Sequence, residues 1–279
     1  MQSAIALLQK YSVAGPRYTS YPTAPYFHTG FGEADWAETL AAPAPDRGLS
    51  LYAHIPFCDS LCYYCGCNMV ATQDYSKTQP YLATLDQEMA RTAQLVDTHR
   101  AVRQLHWGGG TPTYLNPDDI RRLMAMMRSR FTLADDAEVS CEVDPRELTR
   151  AHLVALRESG FNRLSFGVQD MDPAVQQAVN RIQSEALIQQ VLDWSRELGF
   201  SSINLDLIVG LPKQTVASFS RTLERVTEWA PDRLAVFAYA HVPWLKKHQN
   251  LIQPADLPDL ATRLGLQQTV NETLGAAGY

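Results

Sequence analysis

Six short aliphatic segments recur along this chain of 279 residues, and segments with helical periodicity separate them. Such an alternation of strand and helix is typical of a parallel sheet with helical crossovers. The predicted strands begin near residues 51, 102, 138, 163, 203 and 233. Glycines and polar residues follow their carboxyl ends, which is where (β/α) barrels build their sites. We therefore predict an α/β fold, a partial TIM-like (β/α)6 barrel that is open on one side to a large substrate.

Four of the five cysteines lie within ten residues, directly after the first predicted strand. Cys58, Cys62 and Cys65 have the spacing C-x3-C-x2-C, on a loop that begins just after Pro56. Zinc usually recruits two separated pairs of ligands, whereas a [4Fe–4S] cluster takes one thiolate per iron. Three thiolates leave one iron open, and the methionine part of S-adenosylmethionine (SAM) carries an amino and a carboxylate group that can chelate it. We predict a cluster here, with a structural zinc knuckle and a disulfide as alternatives.

Two further cysteines and two histidines lie near this loop in the sequence or in the predicted sheet. Cys67 follows Cys65 too closely to complete the same cluster comfortably, so it lies either near the substrate or simply buried. Cys141 alternates away from its polar neighbours in the third strand, and we interpret it as an inert core thiol. His54 and His106 lie on strands that point toward one mouth, and we interpret them as hydrogen-bonded core histidines.

Polar and glycine residues at the other strand ends predict a ligand site. The second strand runs into residues 108–112, GGGTP, where three glycines let a ligand approach the backbone closely. Glu142 points into the barrel, and a buried carboxylate is costly without a partner. Ribose hydroxyl groups would supply one, with a structural salt bridge as the alternative. Gln169, Arg181 and Asp206 place further polar groups on the same rim, where they can orient a nucleoside.

Composition excludes several classes of partner. The formal net charge is −6 and no block of about five basic residues occurs, so we expect no nucleic-acid partner. No apolar run approaches the roughly 18 residues of a membrane span, and the first residues lack the features of a secretory signal. Clustered free thiols indicate a reducing compartment, so we expect a cytoplasmic protein. We also expect a monomer.

Local signals predict helix ends and domain limits. Asn116 followed by Pro117 predicts a helix start. A glycine followed by an aromatic residue closes two helices and recurs at the end of the chain, at residues 160–161, 199–200 and 278–279. We therefore expect a further strand after Tyr279, in a core of residues 49–279 that is cut short. Residues 1–48 are an N-terminal extension, and its tyrosines and prolines predict packing near the barrel mouth.

Taken together, these segments resemble the oxygen-independent coproporphyrinogen III oxidases, which are radical SAM enzymes. The resemblance lies in residues 15–23, 58–67, 106–113, 142–147, 161–165, 167–170, 206 and 210–215. Related haem chaperones generally lack Cys67 and the segment 15–23, so the chain is similar to the oxidases rather than to them. The resemblance implies the radical SAM type of partial barrel, and a carboxy-terminal helical domain of the family is missing from this chain.

The resemblance also implies a function in haem biosynthesis. Two propionates of coproporphyrinogen III are decarboxylated to vinyl groups, giving protoporphyrinogen IX, with an electron donor and an acceptor that are unidentified. The cofactors are a [4Fe–4S] cluster and two SAM molecules, which provide a 5′-deoxyadenosyl radical. Whether this chain alone is active is left open. The alternatives are another radical SAM enzyme acting on a tetrapyrrole, such as a haem-degrading methyltransferase, a haem chaperone, and a zinc-binding structural module.

Site residues are carried over from the family by matching positions, and no catalytic side chain is assigned. The cluster ligands are Cys58, Cys62 and Cys65. The iron-chelated SAM is contacted by Tyr52, Gly109 and Glu142. The second SAM is contacted by Tyr64, Gly110, Thr111, Gln169, Arg181, Asp206 and Ala240. Candidates for binding the substrate carboxylates are Arg17 and Arg181.

Overall fold

The computed structural model describes residues 10, 23, 26–44 and 47–279. Most of the predicted extension, including Arg17 and nearly all of the segment 15–23, lies outside the described residues. The described part of the extension contains helix α1, Glu33–Ala41. This helix contacts the next helix along the chain, and Glu33 of α1 forms an ion pair with Arg91 of that next helix.

A six-stranded parallel sheet forms the body of the protein, as predicted. Its strands are β1 Leu49–Ile55, β2 Val102–Gly109, β3 Leu133–Val143, β4 Arg163–Gln169, β5 Ser202–Val209 and β6 Arg233–Ala238. Their order in the sheet is their order in the chain, and every neighbouring pair is parallel. β1 and β6 are the two edges of the sheet. The barrel is therefore open between them.

Seven further α-helices connect or follow the strands. They are α2 Thr78–Leu95, α3 Pro117–Arg128, α4 Arg150–Glu158, α5 Pro173–Ala178, α6 Glu185–Glu197, α7 Val216–Trp229 and α8 Leu260–Ala276. The predicted start of α3 is confirmed, because the Asn116 side chain accepts a hydrogen bond from the amide of Asp119. None of the described helices combines the length and apolarity needed to cross a bilayer.

The two faces of the sheet differ in character. In β4, for example, Leu164, Phe166 and Val168 are fully buried while the alternate residues are half-buried. The buried face packs on the helices and forms the main core, in which the rings of Trp107 and Phe161 meet edge to face at 4.8 Å. Cys141 lies in this core, as predicted, and burial raises its pKa well above the ordinary value. The concave face is left polar and accessible, and it carries the site.

One strand differs from its prediction. β3 begins at Leu133 rather than near residue 138. The preceding Asp135 and Asp136 are exposed and look like a loop in the sequence, but Asp136 pairs with Arg103 on the neighbouring strand at 3.0 Å. The register between β2 and β3 shifts between Val102 and Gln104, so the early part of β3 joins the sheet through an irregularity.

Candidate active site

A cavity of about 980 Å³ occupies the concave face and opens at the carboxyl ends of the strands. It is lined by all the predicted cluster and cofactor residues except Tyr52, namely Cys58, Cys62, Tyr64, Cys65, Gly109, Gly110, Thr111, Glu142, Gln169, Arg181, Asp206 and Ala240. The Tyr52 ring is 58% exposed and stacks on His106 at the edge of this region. The fold thus gathers residues from all six strands at one mouth.

The cysteine loop leaves the end of β1 and is fixed at its base. Phe57–Cys58 pairs with Val70–Ala71 as a short parallel ladder, so the loop between them starts and ends at one place. All five cysteines of the chain lie within the described residues and all are free, which does not support the disulfide alternative. Among the described residues, no group of three His, Cys, Asp or Glu side chains is arranged to bind a single metal ion.

A buried ion-pair cluster lies beneath Cys62. The carboxylate of Asp144 accepts hydrogen bonds from Arg146 Nη2 at 2.6 Å and Arg181 Nη1 at 2.9 Å. Burial alone raises the pKa of Asp144, but the two guanidinium groups outweigh it and lower that pKa to about 2. The same groups donate to Cys62 Sγ at 3.4 and 3.5 Å. The Cys62 sulfur therefore lies against two positively charged donors, a surrounding that suits a sulfur ligand to iron.

The other two thiols have partners of their own. Cys58 Sγ and Thr111 Oγ1 are 3.4 Å apart, and burial raises the pKa of this thiol to about 11. Cys65 Sγ accepts a hydrogen bond from the amide of Cys67 at 3.4 Å. A hydrogen bond from the Cys67 thiol outweighs the effect of burial and lowers the pKa of Cys65. Cys67 itself is exposed, so of its two predicted alternatives the buried one is wrong, and a place near the substrate stays a prediction.

The glycine turn after β2 forms a close-fitting cradle. Gly109 has a φ of +119°, and its amide donates to Glu142 Oε2 at 3.1 Å. A Cβ atom at Gly109 would lie 2.6 Å from the His54 ring, and one at Gly110 would lie 2.6 Å from the carbonyl oxygen of Pro56. A ligand can therefore approach these backbone amides because residues 109 and 110 have no side chains.

Glu142 and His106 are hydrogen-bonded on the concave face. His106 contacts Glu142 Oε1 at 3.3 Å and Ser140 Oγ at 2.7 Å. His54 has separate partners, the hydroxyl of Tyr52 at 2.9 Å and a backbone carbonyl oxygen. The prediction that both histidines are hydrogen-bonded is confirmed, but their place in the core is wrong, since both are half-buried and His106 lines the cavity. The Glu142 side chain is 44% exposed, so its carboxylate remains accessible to a ligand.

The part of the cavity wall at the end of β4 contains a side-chain amide oxygen that has no hydrogen-bond partner among the described residues. Gln169 has a φ of +67°, and its buried Oε1 makes no hydrogen bond to any described residue. A Cβ atom on Gly167 would lie 2.7 Å from the Nε2 atom of Gln169, so a second glycine leaves room beside this amide. Asp206 accepts from Ser165 and Asn204, and burial raises its pKa. A ligand with N–H donors would satisfy the free oxygen of Gln169.

Arg181 lines the cavity but is largely engaged within the protein. Besides Asp144 and Cys62, its guanidinium donates twice to the carbonyl oxygen of Gly167. It is 6% exposed. These contacts disfavour Arg181 as a partner for a substrate carboxylate, a role that stays a prediction.

Arg146 is a residue of the site that the sequence pattern does not predict. Its only local signal is its position two residues after Asp144, in a turn that brings the guanidinium back onto the carboxylate. Its contact with Cys62 joins residues 84 positions apart, and no local pattern announces such a contact.

Comparison with known proteins identifies the family. The model of the radical SAM superfamily matches residues 52–226, which is more than half of the chain. This chain belongs to the radical SAM superfamily. Its cofactors are those of that superfamily, a [4Fe–4S] cluster and SAM. The structure fits both groups, because three sulfur ligands with their own donors adjoin a glycine cradle and an unsatisfied amide oxygen.

The relatives with high sequence identity carry one name. The oxygen-independent coproporphyrinogen III oxidase of Salmonella typhimurium is 52% identical over 99% of this chain and 60% of its own length. That of Pseudomonas aeruginosa is 47% identical over 98% of this chain and 60% of its own length. The solved structure of coproporphyrinogen III oxidase from Escherichia coli, described as a radical SAM enzyme, has a TM-score of 0.92 at 50% identity. It covers 98% of this chain and 61% of that one. This chain thus spans about 60% of the length of the relatives it matches.

Replacing Gly109 by alanine is expected to weaken SAM binding by about tenfold or more. A side chain at this φ is strained, and its Cβ atom would displace the His54 ring from the cradle. Titration calorimetry of the anaerobically reconstituted protein with SAM measures the effect. Gly199→Ala is the matched control, because Gly199 also has a positive φ, +76°, but a Cβ atom there would meet nothing within 4 Å. Equal losses of affinity in the two variants would show that strain, not the cradle, is responsible.

Proposed function

We propose that residues 49–279 form the catalytic core of an oxygen-independent coproporphyrinogen III oxidase, with residues 1–48 as an extension. In this reaction two propionate side chains of coproporphyrinogen III each lose one carbon dioxide and two hydrogen atoms and become vinyl groups; one hydrogen atom goes to the 5′-deoxyadenosyl radical, and the remaining electron goes to the acceptor as a proton is released. The observation that carries the proposal is the match of 95–99% of this chain to relatives of that name at 44–52% identity. The predicted cluster and cofactor residues, all of which line one cavity except Tyr52, support it.

The roles of the side chains follow from their positions around the cavity. Cys58, Cys62 and Cys65 would hold the [4Fe–4S] cluster, and Glu142 and the amide-lined turn at Gly109 would hold the SAM on its open iron. When bound, these groups supply reductive cleavage of the sulfonium, and so a radical able to remove a hydrogen atom from a propionate. Glu142 offers its accessible carboxylate to ribose hydroxyl groups while the Gly109 amide and His106 keep that carboxylate in place.

A second SAM is proposed on the other side of the mouth. Its proposed contacts are Tyr64, Gly110, Thr111, Gln169, Arg181, Asp206 and Ala240. Gln169 and Asp206 offer acceptors for amino and hydroxyl groups. Arg181 would support the wall behind them through its bonds to Gly167 O and Asp144. Tyr52 contacts His106 and does not line the cavity. Its exposed ring would contact a SAM that is bound to the iron.

We further propose that the protein works as a cytoplasmic monomer with an electron donor and an acceptor of unidentified class. The free, clustered cysteines favour a reducing compartment. The net charge of −6 disfavours nucleic acid, and no membrane partner is invoked.

The proposal is tested by anaerobic incubation of the reconstituted chain with reductant, SAM and coproporphyrinogen III. Mass spectrometry is expected to detect 5′-deoxyadenosine together with products that have lost one carbon dioxide and two hydrogen atoms at one propionate, and then at two. Cleavage of SAM without vinyl products would reject the substrate while leaving a radical SAM core. Transfer of a methyl group would favour another tetrapyrrole-acting enzyme. Stoichiometric haem binding without SAM cleavage would favour a haem chaperone.

A further inference from the structure

One turn after β6 holds the cysteine loop through its backbone. Three side chains of residues 246–249, which we call the rim latch, each donate to a different carbonyl oxygen of the loop. Lys246 Nζ donates to Cys67 O at 2.8 Å. His248 Nε2 donates to Cys65 O at 2.7 Å. Gln249 Nε2 donates to Tyr64 O at 2.9 Å.

The rim latch is itself anchored by Gln249. This side chain is fully buried, and its Oε1 atom accepts a hydrogen bond from the amide of Val242 at 2.6 Å. Its Nε2 atom is also 3.2 Å from the carbonyl oxygen of Ala240. Both ends of the amide are therefore fixed, and the segment after β6 is bound to Tyr64 as one unit.

The topology of the sheet gives these bonds their importance. The cysteine loop follows β1 and the rim latch follows β6, and these are the two unpaired edges of the sheet. No strand-to-strand hydrogen bonds join those edges within the described sheet. The rim latch therefore closes the mouth of the open barrel at the level of the cysteines.

The loop is supported from a second side by the residues after α5. The amide of Tyr63 donates to Val179 O at 2.9 Å, and Asn180 Nδ2 donates to Leu61 O at 2.8 Å. These contacts hold the part of the loop around Cys62. The rim latch holds the part that carries Cys65, so each region of the loop has its own support.

We infer that the rim latch positions Cys65 for cluster binding and raises the reduction potential of the cluster, an inference that rests on the proposed function. Hydrogen bonds fix the backbone on both sides of this thiolate, which lowers the entropy lost when iron binds. The ammonium of Lys246 and the N–H group of His248 both point toward the loop. Their positive charge and dipole stabilise the reduced cluster, which is more negative than the oxidised one, and so raise its reduction potential.

The test uses variants of the whole chain, reconstituted anaerobically. His248→Leu is expected to release iron to a chelator about fivefold faster, the factor for one net hydrogen bond. His248→Gln restores a donor and is expected to recover most of the loss. Lys246→Met is expected to shift the cluster potential, measured by a redox titration followed by electron paramagnetic resonance, to more negative values. Lys247→Met removes the same charge from an exposed neighbour and is the matched control.

The outcomes separate this inference from the proposed function. If the parent chain binds a cluster and cleaves SAM but all four variants keep its iron-release rate and potential, the role of the rim latch is refuted. An equal potential shift in Lys246→Met and Lys247→Met would also refute it, because net charge alone would then explain the result. A parent chain that binds no cluster would instead overturn the proposed function. Thermal unfolding of the cluster-free variants shows whether a variant is merely unfolded.

Discussion

Replacing Cys62 by serine is expected to abolish cluster binding. The reconstituted parent should contain about four irons and four sulfides per chain, and the variant almost none. Serine is a much poorer ligand for iron than cysteine, and the Cys62 sulfur is the one that accepts hydrogen bonds from two guanidinium groups. Iron and sulfide analysis, together with the visible absorption spectrum, measures the loss.

Cys141→Ser is the matched control for this experiment. Cys141 is a fully buried thiol in the core, so its loss affects packing without touching the cysteine loop. We expect this variant to retain the full iron content. Zinc in place of iron in the parent, or an unchanged iron content in Cys62→Ser, would contradict the cluster.

Replacing Asp144 by asparagine is expected to destabilise the fold by about 3–5 kcal/mol. The change leaves Arg146 and Arg181 close together with no carboxylate between them, in a place where Asp144 is only 10% exposed. Denaturant unfolding of the cluster-free protein measures the difference. Asp118→Asn is the control, because its ion pair with Arg121 is on the surface and Asp118 is 97% exposed. We expect little change in stability there.

The stabilising effect of Asp144 should depend on pH in a defined direction. Its pKa in the folded protein is lowered to about 2, below the value of about 3.9 for an unfolded chain. The carboxylate therefore stabilises the fold fully above about pH 5, and this stabilisation is lost as the pH falls from about 4 to about 2. The stability gap between the parent and Asp144→Asn should shrink over that range. A gap that stays constant down to pH 2 would show that the charge of Asp144 is unimportant.

The sequence predicted those features that depend on neighbours in the chain. The Asn116 cap and the glycines at 160 and 199, which have positive φ, are local signals, and the structure confirms them. The strand ends place Gly109 and Glu142 at one mouth because parallel strands bring their carboxyl ends together. The early part of β3 was missed, since Asp136 is satisfied by an arginine on the neighbouring strand.

The supports of the site could not be predicted in this way. Cys65 and His248 are 183 residues apart, and their contact depends on how the two edges of the sheet meet. The histidines were placed in the core because alternation shows which face of a strand they occupy but not whether anything covers that face. In this protein the concave face is uncovered at His54 and His106.

The separation of the cysteine loop from its supports has a consequence for the making of the protein. Arg181 follows Cys62 by 119 residues, and Gln249 follows Tyr64 by 185. At roughly 5 to 20 residues per second, a ribosome delivers the last of these supports roughly 10 to 40 s after the loop. The nascent thiols thus spend that interval without the groups that later hold them. Iron and sulfide are therefore expected to enter late, once translation has reached the end of the sheet.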